Sequence, residues 1–93
     1  MNNIEAKNRI KLNQELLQSE IDGETIMMSI DNGKYYGLNT VASKIWELLK
    51  DEPLFSELIS NLVEEYNVEQ AKCESDTKEF LENLIENKLI RIE

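Results

Sequence analysis

Few residue types that usually perform reactions occur in this sequence of 93 residues. There is no histidine, and Cys73 is the one cysteine. Without imidazole there is no His general acid or base, and no Ser–His or Cys–His pair. A single thiol cannot build a structural zinc site. The glycines Gly23, Gly33 and Gly37 are spread along the chain, and none opens a phosphate-cradling loop. Asp31-Asn32-Gly33 looks like the start of a calcium loop but lacks the glutamate that closes one. Glu64-Glu65 and the acids beyond Gln70 fall on stretches that read as solvated helix faces. Cys73 sits on an apolar helical stripe and reads as a small buried thiol. The residues therefore point away from an enzyme, with no cofactor and no metal, and toward a binding module.

The elements that would position such a module follow from the apolar period. From Ile10 the text alternates through Leu12, and residues 16–21 form a weaker strand candidate. Asp22-Gly23 is a turn pair of the kind that joins antiparallel strands. Residues 24–30 put Ile26, Met28 and Ile30 on one face and Thr25, Met27 and Ser29 on the other, the period of a half-buried strand. Asp31-Asn32-Gly33 is the strongest hairpin signal, suited to a type I′ turn. Lys34 to Leu38 then form a third strand. Asn39 can cap a helix carrying Val41, Ile45, Leu48 and Leu49 on one face, with Ala42 and Trp46 beside them. Pro53 suits the first turn of a second helix, whose stripe runs Phe55, Leu58, Ile59, Leu62, Val63, Tyr66 until Asn67 breaks it. A third helix over 70–87 turns Cys73, Thr77, Phe80, Leu81, Leu84 and Ile85 inward. Leu89, Ile90 and Ile92 close the chain as a short strand or docked tail. Three strands then three helices predict an α+β fold, winged helix-turn-helix-like, with a three-stranded antiparallel sheet. Length predicts a single domain over 1–93, with the polar residues 1–8 disordered.

Charge narrows the partners. The net charge is −9, and residues 51–93 carry −8 of it. That excludes a basic nucleic-acid footprint and disfavours an anionic membrane surface. No apolar run approaches the ~20 residues of a membrane span, and the first residues lack an apolar signal core. A lone cysteine fits a reducing compartment, so the expected location is the cytoplasm. In a three-strand meander the third strand is an edge, with unpaired N–H and C=O groups. Tyr35 and Tyr36 are large for a bare edge, Gly37 allows another backbone close approach, and Lys34 alone guards it. One tyrosine packing inward and the other lying on the surface explains the pattern. So does strand addition, in which an extended peptide pairs with the edge. Self-pairing of two such edges is a further possibility, so the expected state is a monomer or weak dimer.

The stretch from Lys34 to Trp46 (Lys-Tyr-Tyr-Gly-Leu-Asn-Thr-Val-Ala-Ser-Lys-Ile-Trp) resembles the core of PqqD-like proteins. The later run Tyr66, Val68, Cys73, Asp76, Phe80, Leu81, Leu84, ending at Leu89-Ile90, resembles the same family's second half. The resemblance implies a recognition domain for the leader of a ribosomally made, post-translationally modified peptide, most like the leader-binding protein of lasso-peptide systems. It implies that the leader adds beside the third strand and lies in a groove along the third helix. The edge would come from Lys34, Tyr35, Tyr36, Gly37 and Leu38, and the groove from Cys73, Asp76, Thr77, Phe80 and Leu84. The implied partners are the leader and a leader-cleaving cysteine protease or other modifying enzyme. The alternatives are a PqqD-type chaperone presenting a precursor to a radical SAM enzyme, and a non-catalytic winged-helix oligomerisation subunit. Lys88 departs from the family, where many relatives carry glycine, and bears on the cap of the third helix.

Overall fold

Alternating and helical periods separate along the chain, and so do the elements. The computed structural model describes residues 4–13 and 16–93. In order they form β1 (Ile10–Leu12), β2 (Leu16–Ile21), β3 (Glu24–Ser29), β4 (Tyr35–Gly37), α1 (Thr40–Leu49), α2 (Phe55–Tyr66), α3 (Gln70–Glu86) and β5 (Ile90–Ile92). β2, β3 and β4 make an antiparallel sheet in that order, and the three helices follow it, as the sequence predicts. β1 and the closing strand β5 pair in a second, two-stranded antiparallel sheet. Among the described residues, no helix is long and apolar enough to cross a membrane.

The turns show how local chemistry sets register. Asp22 and Gly23 both have positive φ, 52° and 81°, so the β2–β3 hairpin closes on the two-residue turn their types favour. The β3–β4 connection differs from the type I′ expectation. There Gly33 alone has positive φ, and residues 30–33 form a longer loop closed by the Ser29 N–H to Lys34 carbonyl bond at 3.0 Å. The Asn32 side chain accounts for it, because Oδ1 accepts from the Lys34 N–H at 2.8 Å and so turns the chain itself. The resulting register sets Met27 opposite Tyr36 and Met28 opposite Tyr35.

That register assigns the faces. Thr25, Met27 and Ser29 are buried against the helices, whereas Ile26 and Met28 are half-buried and Ile30 is 56% exposed. The more apolar side of β3 thus faces outward. The inner side is made compatible by explicit bonds. Ser43 Oγ accepts from the Thr25 N–H at 2.8 Å and donates to the Leu38 carbonyl at 3.1 Å, standing in the ladder where β4 leaves β3 for α1. Trp46, fully buried, donates its indole N–H to Gln18 Oε1 on β2 at 3.1 Å. One apolar cluster includes Met27, Trp46, Leu49, Phe55, Leu58 and Leu81.

Helix ends follow their residue types, with two departures. Asn39 caps α1 through Oδ1 and the Ala42 N–H, as expected. Asn67 ends α2 in the left-handed region at φ 50°. Pro53, expected in the first turn of α2, lies just before its N-cap Leu54, and its carbonyl accepts from the Ile10 N–H. The expectation of disorder over residues 1–8 also differs from the structure where the chain is described. Ile4 is buried, and the Ala6 and Asn8 carbonyls accept from the Ser56 and Phe55 N–H groups at the start of α2. Those two donors are orphans of the helix terminus, and the leading segment satisfies them. Residues 1–3 lie outside the described residues.

Candidate peptide-binding edge and groove

β4 has β3 on one side and no strand on the other among the described residues. The ladder says which of its groups are free. Leu38 N–H bonds the Thr25 carbonyl and Ser29 N–H bonds the Lys34 carbonyl, so hydrogen-bonded pairs fall at 25–38, 27–36 and 29–34. Tyr36 therefore spends its backbone on Met27. Tyr35 and Gly37 point their N–H and C=O groups away from β3, to the open edge. Gly37 is exposed, and a Cβ built there meets nothing within 4 Å.

The two tyrosines divide as alternation requires. Tyr35 is 73% exposed on the outer face. Tyr36 is half-buried against the core, and its hydroxyl donates to Asn87 Oδ1 at 3.5 Å at the end of α3. Lys34 lies outside β4, and its carbonyl and N–H are committed to Ser29 and Asn32. Leu38 is buried and belongs to the core.

Beside the end of β4 opens a groove of about 400 Å³ between α1, the end of α2 and α3. Asn39, two residues beyond Gly37, lines it, so the groove begins where the chain leaves β4 for α1. Its wall is apolar: Val41, Ala42 and Ile45 from α1, Leu62 and Tyr66 from α2, Val68 from the connection, and Cys73 and Phe80 from α3. Thr77 is buried there, with Oγ1 3.9 Å from Cys73 Sγ. Lys72 and Asp76 stand at the rim, paired at 3.4 Å and both largely exposed. Of the five α3 and α3-side positions expected, Cys73, Asp76, Thr77 and Phe80 come together. Leu84 does not, because it is buried in the core and absent from the groove wall.

Sequence reasoning missed Val41, Tyr66 and Val68. Val41 reads as a core position by helical period, yet it is 51% exposed. Tyr66 and Val68, at 39% and 43%, flank the left-handed Asn67 and so both reach the same opening. The signal was available as apolar residues at two helix ends with no polar counterpart. Chemically the site can hold an extended chain by its backbone and its apolar side chains by shape. Among the described residues, no group of three His, Cys, Asp or Glu is placed to hold a metal ion.

The family model of coenzyme PQQ synthesis protein D (PqqD) matches residues 24–90. The chain belongs to the PqqD family. No individually curated protein matches it. Among solved structures, this PqqD-family chain is similar to TbiB1 in complex with the TbiA(beta) leader peptide. The TM-score is 0.82 and the identity 30%, covering 87% of this chain and 94% of that one. It is also similar to lasso peptide synthetase B1 complexed with the leader peptide, with a TM-score of 0.78, 26% identity, and 88% and 96% coverage.

Proposed function

We propose that this chain recognises the leader segment of a ribosomally made precursor peptide, adding it as a strand along β4 and seating its side chains in the groove. The observation that carries this is the outward Tyr35 and Gly37 backbone, followed two residues on by an apolar groove that begins at Asn39. Strand addition draws affinity from main-chain bonds and specificity from pockets for alternate side chains, and this site offers both. The likeness to TbiB1 in complex with the TbiA(beta) leader peptide and to lasso peptide synthetase B1 complexed with the leader peptide supports the same occupant, and the second supports a place in lasso-peptide biosynthesis.

The chain is non-catalytic in this role. It holds the precursor and raises its effective concentration at a leader-cleaving cysteine protease or other modifying enzyme. The work is cytoplasmic, where precursor and enzyme meet. A fluorescence-anisotropy titration tests it, using the labelled leader of a short precursor encoded beside this gene and a scrambled control. Saturable binding of the leader alone is expected. Equal binding of both peptides, or of neither, overturns the proposal.

A further inference from the structure

We infer that the outer face of the β2–β3–β4 sheet is a docking surface for the enzyme that acts on the peptide held at β4. The partner presents an apolar patch with basic residues at its rim. This rests on the strand-addition reading above, because that reading puts the peptide at the margin of this face.

Register defines the surface. Leu17, Met28 and Tyr35 stand opposite one another across the three strands, and Ser19, Ile26 and Gly37 form the neighbouring row. Ile21 continues the face at the end of β2. Leu17, Ile21, Ile30 and Tyr35 are 55%, 56%, 56% and 73% exposed. Contiguous exposed apolar surface of this kind marks an interaction site. Charge sharpens the point. In a chain whose residues are 31% charged, Glu24 is the one charged residue among the outward positions of β2, β3 and β4, and it stands beside the hairpin turn.

The same charges choose the occupant. Glu20, Asp22 and Glu24 cluster at the β2–β3 turn, Asp31 lies in the β3–β4 loop, and Lys34 is the one base between residues 16 and 38. A partner with an apolar centre and basic rim complements this arrangement. A second copy does not, since it would bring another −9 and its own acidic turn to the same contact. Continuity identifies which partner. A peptide strand beside β4 widens the sheet by one strand, and its alternate side chains emerge on this face next to Tyr35. A protein seated across the face touches domain and peptide together. It therefore distinguishes the loaded chain from the empty one.

The test uses the full chain and the peptide-processing enzyme encoded beside its gene. Leu17→Ser with Ile21→Ser alters only β2, the strand farthest from the peptide edge. The leader titration should stay within about two-fold of the parent chain. Affinity of the enzyme for the leader-loaded chain should fall about ten-fold or more, as expected from removing two large apolar side chains from an interface. Enzyme binding that is unchanged in the variant, or undetectable with the loaded parent chain, overturns the inference. Parent-chain dimers that the double substitution dissociates would do the same and assign the face to a second copy. If the variant misfolds, methyl chemical shifts of the parent chain decide. Leu17, Ile21, Ile26 and Met28 should shift on adding enzyme, and shifts confined elsewhere overturn the inference. Failure of the leader titration itself would reject the proposed function; enzyme binding to the unloaded parent chain that the double substitution weakens would then still support the surface, and its absence would overturn it.

Discussion

Among the described residues, two regions expose large apolar side chains, and they do so differently. Around the groove, Val41, Tyr66 and Val68 rim a concavity whose floor is the core itself. On the sheet, Leu17, Ile21, Ile30 and Tyr35 stand on a broad face that the pleat leaves without a covering layer. The groove suits single side chains in a concave apolar setting. The sheet face suits another protein's surface. They meet at β4, whose backbone groups lie on the open edge and whose Tyr35 side chain stands on the sheet face. The lesson is that a three-residue strand can present two surfaces, because its backbone and its side chains point in perpendicular directions.

The sharpest way to break the comparison is Gly37→Pro. Its N–H faces the open edge, so proline removes a donor that β3 does not use. We expect leader affinity to fall by about thirty-fold, or ~2 kcal/mol, since the peptide's acceptor loses its partner. Circular dichroism should report an intact fold. Tyr36→Pro, by contrast, deletes a bond to Met27 and should unfold the edge. If both variants bind alike, backbone pairing at β4 is not the basis of recognition.

Ser43→Ala acts on both regions at once, because the hydroxyl joins β3, the end of β4 and α1. It leaves a buried N–H of Thr25 and a carbonyl of Leu38 without this partner. The expected loss is about 1–2 kcal/mol of stability, read by urea denaturation. Leader and enzyme affinity should weaken together at temperatures where β4 loosens. If one weakens without the other, the two regions are mechanically independent.

A third change tests stability apart from either region. α3 ends in a motif in which Lys88 N–H bonds the Ile85 carbonyl and Leu89 N–H bonds the Leu84 carbonyl, both at 2.9 Å. Lys88 has φ 62° at the position where glycine is favoured. Lys88→Gly removes the Cβ penalty and should stabilise by about 1 kcal/mol, raising Tm by roughly 4–8 °C. Leader affinity should not change. If it rises with Tm, binding is limited by local unfolding and not by the site's shape.

Much of this was legible before the structure, and the exceptions share a cause. Asn39, Asp22-Gly23 and the departure at Lys88 are local signals, and each acts within a few residues. The edge strand was legible because a meander order implies it. What failed needed long-range information. The apolar alternation of β3 could not reveal that Thr25 and Ser29 face inward, because their burial comes from the packing of α1, distant in sequence, against β3. Ile4 could not be recognised as core until α2 offered its free N–H groups to the segment behind it. In the site, Leu84 and Phe80 share a stripe, and only the crossing of α1 and α2 over α3 separates core from groove wall.

The smallest effect concerns charge within the otherwise apolar groove. Asp76 is one of the groove positions the resemblance implies, and the structure pairs it with Lys72 across one helical turn. Both side chains are mostly exposed, so the pair contributes at most about 1 kcal/mol to stability and is screened by salt. A basic leader residue would have to compete with Lys72 for the same carboxylate. Asp76→Asn should therefore weaken leader binding only about two-fold at low salt, with the difference vanishing at high salt. Lys72→Met should act in the opposite direction, freeing Asp76 and enlarging the apolar wall. If Asp76→Asn abolishes binding at any salt, the carboxylate is a primary contact and the groove is read by charge. If both substitutions are silent, recognition in this region rests on apolar shape and the β4 backbone, in keeping with the contrast between a concave groove and a broad face.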